Sequence, residues 1–391
     1  MIELQNIYIE KAEDKVFFKA DCLIDNQLQV LWFSTDIANE KYISTSNADA
    51  FILFIFFYAV FENLEFKSNV PVSKRLKFGL LEVLLPAFQE MGFKAQPEQF
   101  SFELEDDSLY PEATAVGTAM SFGIDSFYTL IKGNGSIQKL NYLTLFNAGA
   151  YGNYGGDKAK ELFDAMKNRV DTFANQNNLG FAWVDTNLNE TFRFPYIQSH
   201  TFRNFACVLV LQKLFKTYYY ASTFSINDFR LTQSDPSNYD LLNSKAISTN
   251  SLEFHITGLI ENRIDKTKVV SSNEISYDNL NVCLVTSDYA GASLATTAKN
   301  CSKCEKCVRT MVTLDILGKL ELYKSVFDLN IYAKNKNKYL AHLLYKKYRA
   351  NYVFSKDIFN EAKVRNYNIP AKAYYLASMR VFQPIVRKLK H

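Results

Sequence analysis

Three cysteines recur at every third position in one short segment of the chain, as Cys301, Cys304 and Cys307. Structural Zn²⁺ takes four ligands in a tetrahedron and favours thiolates, so this trio supplies three of the four. Cys283 lies shortly upstream on an apolar, strand-like stretch (281–285) and is the predicted fourth ligand. The pattern therefore predicts a zinc site with four cysteine ligands.

Other cysteine chemistry fits the same spacing. A closely spaced trio also suits an iron–sulfur cluster, but the sequence offers no electron-transfer or radical context for one. Cys304 and Cys307 alone could form a redox pair, and unligated surface thiols are the remaining alternative. A third neighbouring cysteine favours a metal over the redox pair. The two other cysteines, Cys22 and Cys207, stand in apolar surroundings and are predicted to be core residues.

A second candidate for chemistry is the loop at 121–126, which reads Ser121, Phe122, Gly123, Ile124, Asp125 and Ser126. Gly123 permits a positive φ angle or a close approach of the backbone to a ligand. The serine hydroxyls and the unpaired amides of the following helix would together form an anion site. The loop contains neither the Walker pattern nor G-x-G-x-x-G. The alternative is a tight strand-to-helix turn with a serine cap.

The elements around this loop alternate between strands and helices. Strands are predicted at 113–119, 142–146, 181–184 and 218–221, and helices at 127–131, 158–173 and 202–215. Such alternation is typical of an α/β fold with a parallel sheet covered on both faces. Ligands in these folds bind at the carboxyl ends of the strands, where the loop falls. Asn147 and Gly149 end the second of these strands, where an adenine or ribose would lie.

The N-terminal segment has a different pattern. Residues 1–45 are predicted to form strands with polar breaks. The apolar run at 51–61 is too short to cross a bilayer, which needs about 20 residues, and is predicted to be a buried core helix. The first residues lack the basic-then-apolar plan of a signal peptide. We therefore expect a cytoplasmic protein with reduced cysteines and no membrane partner.

The net charge of +3 conceals a basic C-terminal end. Residues 331–391 contain 14 Lys or Arg against 2 Asp or Glu, which leaves 30 basic and 39 acidic residues before them. A basic end on an acidic body is suited to RNA, DNA or a nucleotide-bearing substrate. The alternatives are a solvated helical face or an electrostatic contact with the acidic body.

The loop at 119–126 resembles the S-G-G-x-D-S loop of the PP-loop ATP pyrophosphatases. It matches at Ser121, Gly123, Asp125 and Ser126, and it departs at Phe122, where that family usually has Gly. Those enzymes cleave ATP between its α and β phosphates. The resemblance implies that the two serines and Gly123 hold the leaving pyrophosphate. It also implies that Asp125 helps to orient the pyrophosphate and its Mg²⁺.

The loop and the cysteines together resemble the 7-cyano-7-deazaguanine synthase branch of that superfamily, which carries four zinc-binding cysteines near its C-terminus. Arg309 follows the cysteine trio as part of this pattern, and the resemblance covers residues 112–320. Ser302 stands where related proteins often have Gly, and the gap between Cys283 and Cys301 is longer than in the synthase. The implied architecture has an N-terminal α+β domain at 1–110, a PP-loop ATP-binding core with its zinc site at 111–320, and a basic helical region at 321–391.

The resemblance implies an ATP-dependent carbon–nitrogen ligase that uses ATP, Mg²⁺ and Zn²⁺. A carboxylate or amide oxygen of a small molecule, protein or peptide would attack ATP to give an adenylate and pyrophosphate, before ammonia or an amine displaces AMP. Asp125, Arg263 and Lys266 are the predicted catalytic residues, because guanidinium and ammonium groups pair with such anions. For the two basic residues the alternative is an ordinary surface charge. A homodimer is also expected.

Two other functions are compatible with the sequence. The protein could modify a nucleic-acid base, with the basic C-terminal region holding RNA. Thiolation would then need a sulfur-carrying cysteine near the adenylate, and Cys207 is the only candidate, on a helix expected to be buried. The protein could instead be a non-catalytic nucleotide-binding scaffold that kept the fold and the zinc site, an alternative that Phe122 supports.

Overall fold

The computed structural model describes residues 1–283, 300–350 and 352–388. These residues form two compact units. The first unit contains Met1–Met120 and Lys132–Leu259. The second unit contains Ser121–Ile131 and the described residues from Ile260 onward.

The described residues contain twelve strands and thirteen α-helices. The strands are β1 (Ile2–Lys11), β2 (Lys15–Ile24), β3 (Gln27–Asp36), β4 (Phe66–Ser68), β5 (Val72–Ser73), β6 (Phe100–Phe102), β7 (Glu105–Asp106), β8 (Ala115–Ala119), β9 (Tyr142–Asn147), β10 (Gly180–Thr186), β11 (Phe215–Ala221) and β12 (Glu253–Thr257). The helices are α1 (Asp49–Glu62), α2 (Lys74–Phe78), α3 (Leu85–Glu90), α4 (Ile124–Asn134), α5 (Asp157–Gln176), α6 (Leu188–Phe192), α7 (Tyr196–Val210), α8 (Asp240–Ile247), α9 (Arg263–Val270), α10 (Glu305–Ile316), α11 (Leu329–Arg349), α12 (Val353–Val364) and α13 (Ala371–Lys388).

Ten of the strands form one mixed sheet in the first unit, in the order β12-β11-β8-β9-β10-β3-β2-β1-β4-β6. The five strands from β12 to β10 are parallel, β1 to β3 join them through antiparallel pairs, and β4 and β6 are again parallel. Helices alternate with the parallel strands along the chain, which confirms the predicted α/β class.

The strand order reverses at β8, which lies between β9 and β11. In open α/β sheets the carboxyl end of a strand at such a reversal is the usual place for a ligand. β8 ends at Ala119, and the predicted phosphate loop begins two residues later. Asn147 is the last residue of the neighbouring strand β9. Asn147 is thus at the carboxyl end of a central strand, and the loop follows β8 along the chain.

The N-terminal strands continue the same sheet. β3 pairs antiparallel with β10, and the Thr35 hydroxyl donates to the Trp183 carbonyl over 2.6 Å. The sheet therefore contains strands from both sides of the predicted domain boundary at residue 110. The predicted domain boundaries themselves stay a prediction. The acidic residues Glu105 and Asp106 lie in β7, which pairs with β5.

Helix α1 is the apolar run that the sequence assigned to the core. Eleven of its fourteen residues are buried, and the Phe57 ring stacks on Phe202 with centroids 4.2 Å apart. The helix ends at Asn63, which takes the left-handed conformation common at helix ends. The prediction of a core helix is confirmed. Among the described residues, none of the helices has the length and apolar character needed to span a membrane.

In the second unit, Asp315 of α10 ties several helical segments together. Its carboxylate accepts hydrogen bonds from the hydroxyls of Tyr332 and Tyr367, and Lys336 lies 2.7 Å from the same oxygen. Burial raises the pKa of Asp315, but these hydrogen bonds and the Lys336 charge lower it below its ordinary value. This carboxylate is therefore ionised at neutral pH and holds α11 and the segment before α13 against α10.

Candidate functional site

The cysteine trio surrounds the start of α10. Cys304 is the residue directly before the helix, and Cys307 lies in its first turn. The Cys304 amide donates to the Cys301 sulfur over 3.2 Å. Between them, Ser302 has a φ of 58°, a conformation that glycine adopts without cost. The local chain geometry thus gathers three thiols at one helix end.

Asn300 holds the fourth cysteine in place. This buried side chain accepts hydrogen bonds from the amides of Val282 (2.8 Å) and Cys283 (3.1 Å). Its own amide donates to the carbonyls of Leu280 and Val326. No motif in the sequence points to Asn300, although it directly precedes the trio. Residues 281–283 are not part of a strand, and residues 284–285 of the predicted stretch lie outside the described residues.

The four sulfurs fit a tetrahedral zinc ion. All four lie within 4.8 Å of one another. The separations are 3.9 Å for Cys283–Cys304, 3.7 Å for Cys301–Cys307 and 3.4 Å for Cys304–Cys307. Four sulfurs at about 2.3 Å from one Zn²⁺ would be about 3.8 Å apart, whereas a disulfide needs about 2.05 Å. The predicted cluster of four cysteines is present, and its spacing suits zinc.

The thiols also affect one another's ionisation. The hydrogen bond with Cys304 is the main cause that raises the pKa of Cys283 to about 12. A coordinated divalent cation would favour the deprotonated form of these thiols. The remaining cysteines, Cys22 and Cys207, are fully buried in the first unit, as predicted for core residues.

The loop at 121–126 leads directly into α4, which begins at Ile124. The Phe127 amide donates to the Gly123 carbonyl over 3.0 Å, so the amides before it belong to the unpaired start of the helix. The buried Ser126 hydroxyl donates to the same carbonyl, and the exposed Ser121 hydroxyl donates to Ser126. This arrangement presents several donors at a positive helix end.

Phe122, and not Gly123, takes the left-handed conformation in this loop. Its φ is 58°, whereas Gly123 has no positive φ. The positive φ angle that was considered for Gly123 therefore occurs one residue earlier in the chain. The Phe122 ring is fully buried and lies 6.1 Å from the Phe127 ring, centroid to centroid. The Phe122 carbonyl accepts from the Asn281 amide over 2.8 Å. A phenyl group therefore fills the core here and does not cover the loop.

Gly123 lies close to the Ser121 side chain. A methyl group at its Cβ position would lie 3.3 Å from the Ser121 hydroxyl oxygen, closer than ordinary van der Waals contact. A larger residue would push the hydroxyl out of the loop. The predicted close approach of this backbone to a ligand stays a prediction.

The three predicted catalytic residues lie together in the second unit. Arg263 Nη1 is 2.8 Å from Asp125 Oδ2, and Lys266 Nζ is 3.8 Å from Asp125 Oδ1. Asn262 caps the start of α9, where its side chain accepts from the Ile264 amide. Lys266 is only 1% exposed, so the surface-charge alternative is wrong for this residue. Burial lowers the pKa of Lys266 to about 8, with Asp125 opposing and Arg263 adding to the shift.

Arg309 and Lys306 add two more cations to this group, and only the resemblance had drawn attention to Arg309. The Arg309 guanidinium lies 4.3 Å from the centroid of the Phe354 ring, and Arg263 lies 5.4 Å from the same centroid. Arg309 Nη1 also donates to the Tyr352 hydroxyl over 2.8 Å. Burial and the Arg263 charge lower the pKa of Arg309. The two guanidinium groups thus lie close enough to repel each other.

Lys306 is solvent-exposed, yet surrounding atoms and the charges of Arg309 and Arg263 lower its pKa to about 8. Arg263, Lys266, Lys306 and Arg309, which we call the cation group, lie around the Asp125 carboxylate, while Glu261 also acts on Lys266 and Glu305 on Arg309. Such an excess of positive charge favours a bound anion.

Asn147 and Gly149 lie in the first unit. The Asn147 amide donates to Asp185 over 2.8 Å, while its buried side-chain oxygen has no hydrogen-bond partner among the described residues. Gly149 has a φ of 101°, and a Cβ atom there would lie 2.6 Å from Arg203 Nη1. The buried Arg203 uses its guanidinium on Asn189 and on the Phe194 carbonyl, so it has a structural role. The assignment of Asn147 and Gly149 to adenine or ribose stays a prediction.

The geometry is the only guide to function for this chain. No family model, curated protein or solved structure matches it. What the residues themselves assemble is a thiol cluster suited to zinc and, in the same unit, a helix-start loop with four basic side chains.

Proposed function

We propose that this protein is an ATP-dependent, AMP-forming carbon–nitrogen ligase whose loop at 121–126 binds the pyrophosphate part of ATP. The single observation that carries the proposal is the cation group of Arg263, Lys266, Lys306 and Arg309 around Asp125 of this loop. The four positive charges outnumber the carboxylates of Asp125, Glu261 and Glu305 that act on them, and pyrophosphate would supply further negative charge. The reversal of strand order just before the loop also supports a ligand there.

In this reaction a substrate carboxylate oxygen attacks the α-phosphorus, and the bond from that phosphorus to the bridging oxygen of the β-phosphate breaks. Pyrophosphate leaves with the bonding electrons. Ammonia or an amine then attacks the activated carbonyl carbon, loses a proton, and AMP departs. Positioning and charge neutralisation supply most of the rate in such phosphorus chemistry.

The residues of the second unit have separate parts in this scheme. The amides at the start of α4 and the Ser121 hydroxyl would donate to pyrophosphate oxygens. The cation group would stabilise the charge that develops on the leaving group. Asp125, held by Arg263 and Lys266, would orient these donors and help to hold Mg²⁺, which supplies further charge neutralisation when bound.

Zinc has a structural part in the proposal. The four thiols fix the chain before α10, and Lys306 and Arg309 both lie in the first turns of that helix. A metal at this position holds the two cations at their places in the group. Its loss is therefore expected to weaken anion binding without any direct contact between metal and nucleotide.

The non-catalytic alternative depends on Phe122. The left-handed backbone at this residue reproduces the conformation that glycine would adopt, and the buried ring leaves the ligand side of the loop uncovered. These two observations favour a working anion site over a vestigial one.

The decisive test starts from binding, because the acceptor substrate is unidentified. Calorimetric titration with inorganic pyrophosphate and with Mg-ATP should show that Lys306→Ala weakens binding about tenfold or more. Lys303→Ala, an exposed lysine three residues earlier, is the matched control and should bind like the native protein. Equal affinities of the two variants would remove the basis of the assigned site.

Turnover is tested separately. The protein is incubated with Mg-ATP, ammonium and a panel of carboxylic acids, and the nucleotide products are separated. The proposal expects AMP and pyrophosphate in equal amounts, dependent on the acid. Formation of ADP and phosphate would show that the reaction type is wrong.

A further inference from the structure

A second concave surface lies in the C-terminal helices of the second unit, which the proposed ligase reaction does not use. It has a volume of ≈ 590 Å³, within the range of ligand-binding clefts. It is bordered by α11, α12, the start of α13 and the segment between the last two helices. We call it the tyrosine–lysine groove, after its residues Tyr348, Tyr367, Tyr374, Phe359, Lys347 and Lys363.

The groove is basic. No carboxylate is among its lining residues, and Lys347 and Lys363 form no ion pair with any residue that the structure describes. The surrounding segment from residue 331 contains 14 basic and 2 acidic residues. One of these two, Glu361, is already paired with Lys268 and Arg365. The groove thus has positive charge that the described chain does not neutralise.

The groove also has aromatic rings that the fold does not bury. Tyr348 is 68% exposed and Tyr374 is 49% exposed. Lys347 Nζ lies 5.3 Å from the centroid of the Tyr348 ring and 5.6 Å from that of Phe359. Tyr367 is fixed by its hydrogen bond to Asp315. Apart from this contact of Lys347 with the two rings, the exposed tyrosine surface contributes little to the stability of the folded chain, which is consistent with a role in binding.

We propose that the tyrosine–lysine groove binds single-stranded nucleic acid without sequence preference. Unpaired bases stack on exposed aromatic side chains, and neighbouring lysines neutralise backbone phosphates. An acidic peptide would use the lysines but would leave the tyrosine faces without a partner. The inference goes beyond the proposed ligase function and does not depend on it, because every residue of the groove lies outside the cation group.

The charge contribution is tested by fluorescence anisotropy with a fluorescein-labelled oligouridine 12-mer and the full chain. Removal of two phosphate contacts should lower the slope of log K against log salt concentration by about 1.4. This change corresponds to about tenfold weaker binding at physiological salt. We expect both changes in Lys347→Gln/Lys363→Gln. The control Lys334→Gln/Lys338→Gln changes two exposed lysines of the same helix region that do not line the groove. It should change affinity less than threefold.

The stacking contribution is tested with Tyr348→Ala/Tyr374→Ala. One stacked base contributes about 1 kcal/mol or more to binding, so the loss of each ring should weaken binding at least about fivefold. The salt dependence of binding should stay unchanged. Tyr375→Ala removes an equally exposed ring outside the groove lining and should have no effect. Because all these side chains lie near the surface, thermal melting should show unchanged folding.

Three results would overturn the inference. Equal losses in the groove and control lysine variants would indicate general charge attraction. Native affinity in the tyrosine variant, together with displacement of the oligonucleotide by polyglutamate, would assign the surface to acidic peptides. Absence of oligouridine binding at low salt would exclude a nucleic acid altogether. Pyrophosphate binding is measured on the same variants and should stay unchanged, so failure here is separable from failure of the ligase proposal.

Discussion

Asn300 gives the sharpest test of how the cysteine site is built. Its side chain forms four hydrogen bonds, two to the amides of Val282 and Cys283 and two to the carbonyls of Leu280 and Val326. Asn300→Ala removes all four and leaves their partners in a largely buried place. Each such hydrogen bond contributes about 1 kcal/mol net, so the variant should lose about 2–4 kcal/mol of local stability.

Because Asn300 holds the segment that carries Cys283, most of this loss should fall on the metal site. A cost of about 2–4 kcal/mol corresponds to roughly 30- to 1000-fold weaker zinc binding. The assay is competition for Zn²⁺ with a chromophoric chelator at fixed pH. Asn300→Asp keeps the acceptor for the two amides and loses the donor to the two carbonyls, so its affinity should fall between the native protein and the alanine variant.

The control for this prediction is Asn335→Ala on α11. The Asn335 amide donates to one carbonyl, that of Ile331, over 2.9 Å. Its removal should cost about 1 kcal/mol of stability without a change in zinc affinity. If Asn300→Ala retains zinc within threefold of the native protein, the side chain does not position Cys283 and the reasoning fails.

Two further predictions concern the loop and its cations. Because φ at Phe122 is left-handed, Phe122→Gly should be about 1 kcal/mol more stable than Phe122→Ala, whereas alanine is usually the more stable of the two. Both variants should be about 2–5 kcal/mol less stable than the native protein, because they lose the buried ring. Chemical denaturation measures these differences, and a more stable alanine variant would contradict the prediction. The pKa of Lys266 is lowered by burial to about 8, below the 10.5 of the unfolded chain, so the folded protein carries the cost of a buried charge below pH 8 and loses that charge as the pH rises through 8. ATP binding should therefore weaken between pH 7 and pH 9, and the free energy of unfolding should rise from pH 8 toward pH 10.5. In Lys266→Met both changes should be smaller. An identical pH profile in the variant would refute the role given to Lys266.

Much of the candidate site could be predicted from the sequence because its parts are local. Cys301, Cys304 and Cys307 fall within seven residues, so one turn of chain at the start of a helix brings them together whatever the rest of the protein does. The loop at 121–126 is a strand-to-helix connection, and its anion-binding donors follow from the unpaired amides of any helix start. Alternating strands and helices likewise determine the α/β class.

Tertiary structure alone decided how distant segments meet. Asn300 bonds the Cys283 segment where a strand was expected, and Arg263 and Lys266 turn inward to Asp125 although their sequence context is that of surface charges. The Phe354 ring, far along the chain, gathers Arg263 and Arg309 at one place. Contacts of this kind depend on the packing of whole helices, which no short pattern of residues encodes. The sequence was thus sufficient to identify the cysteines and the loop. The cluster of positive charge that favours a bound anion could be identified only from the tertiary structure, because the fold brings distant basic residues together.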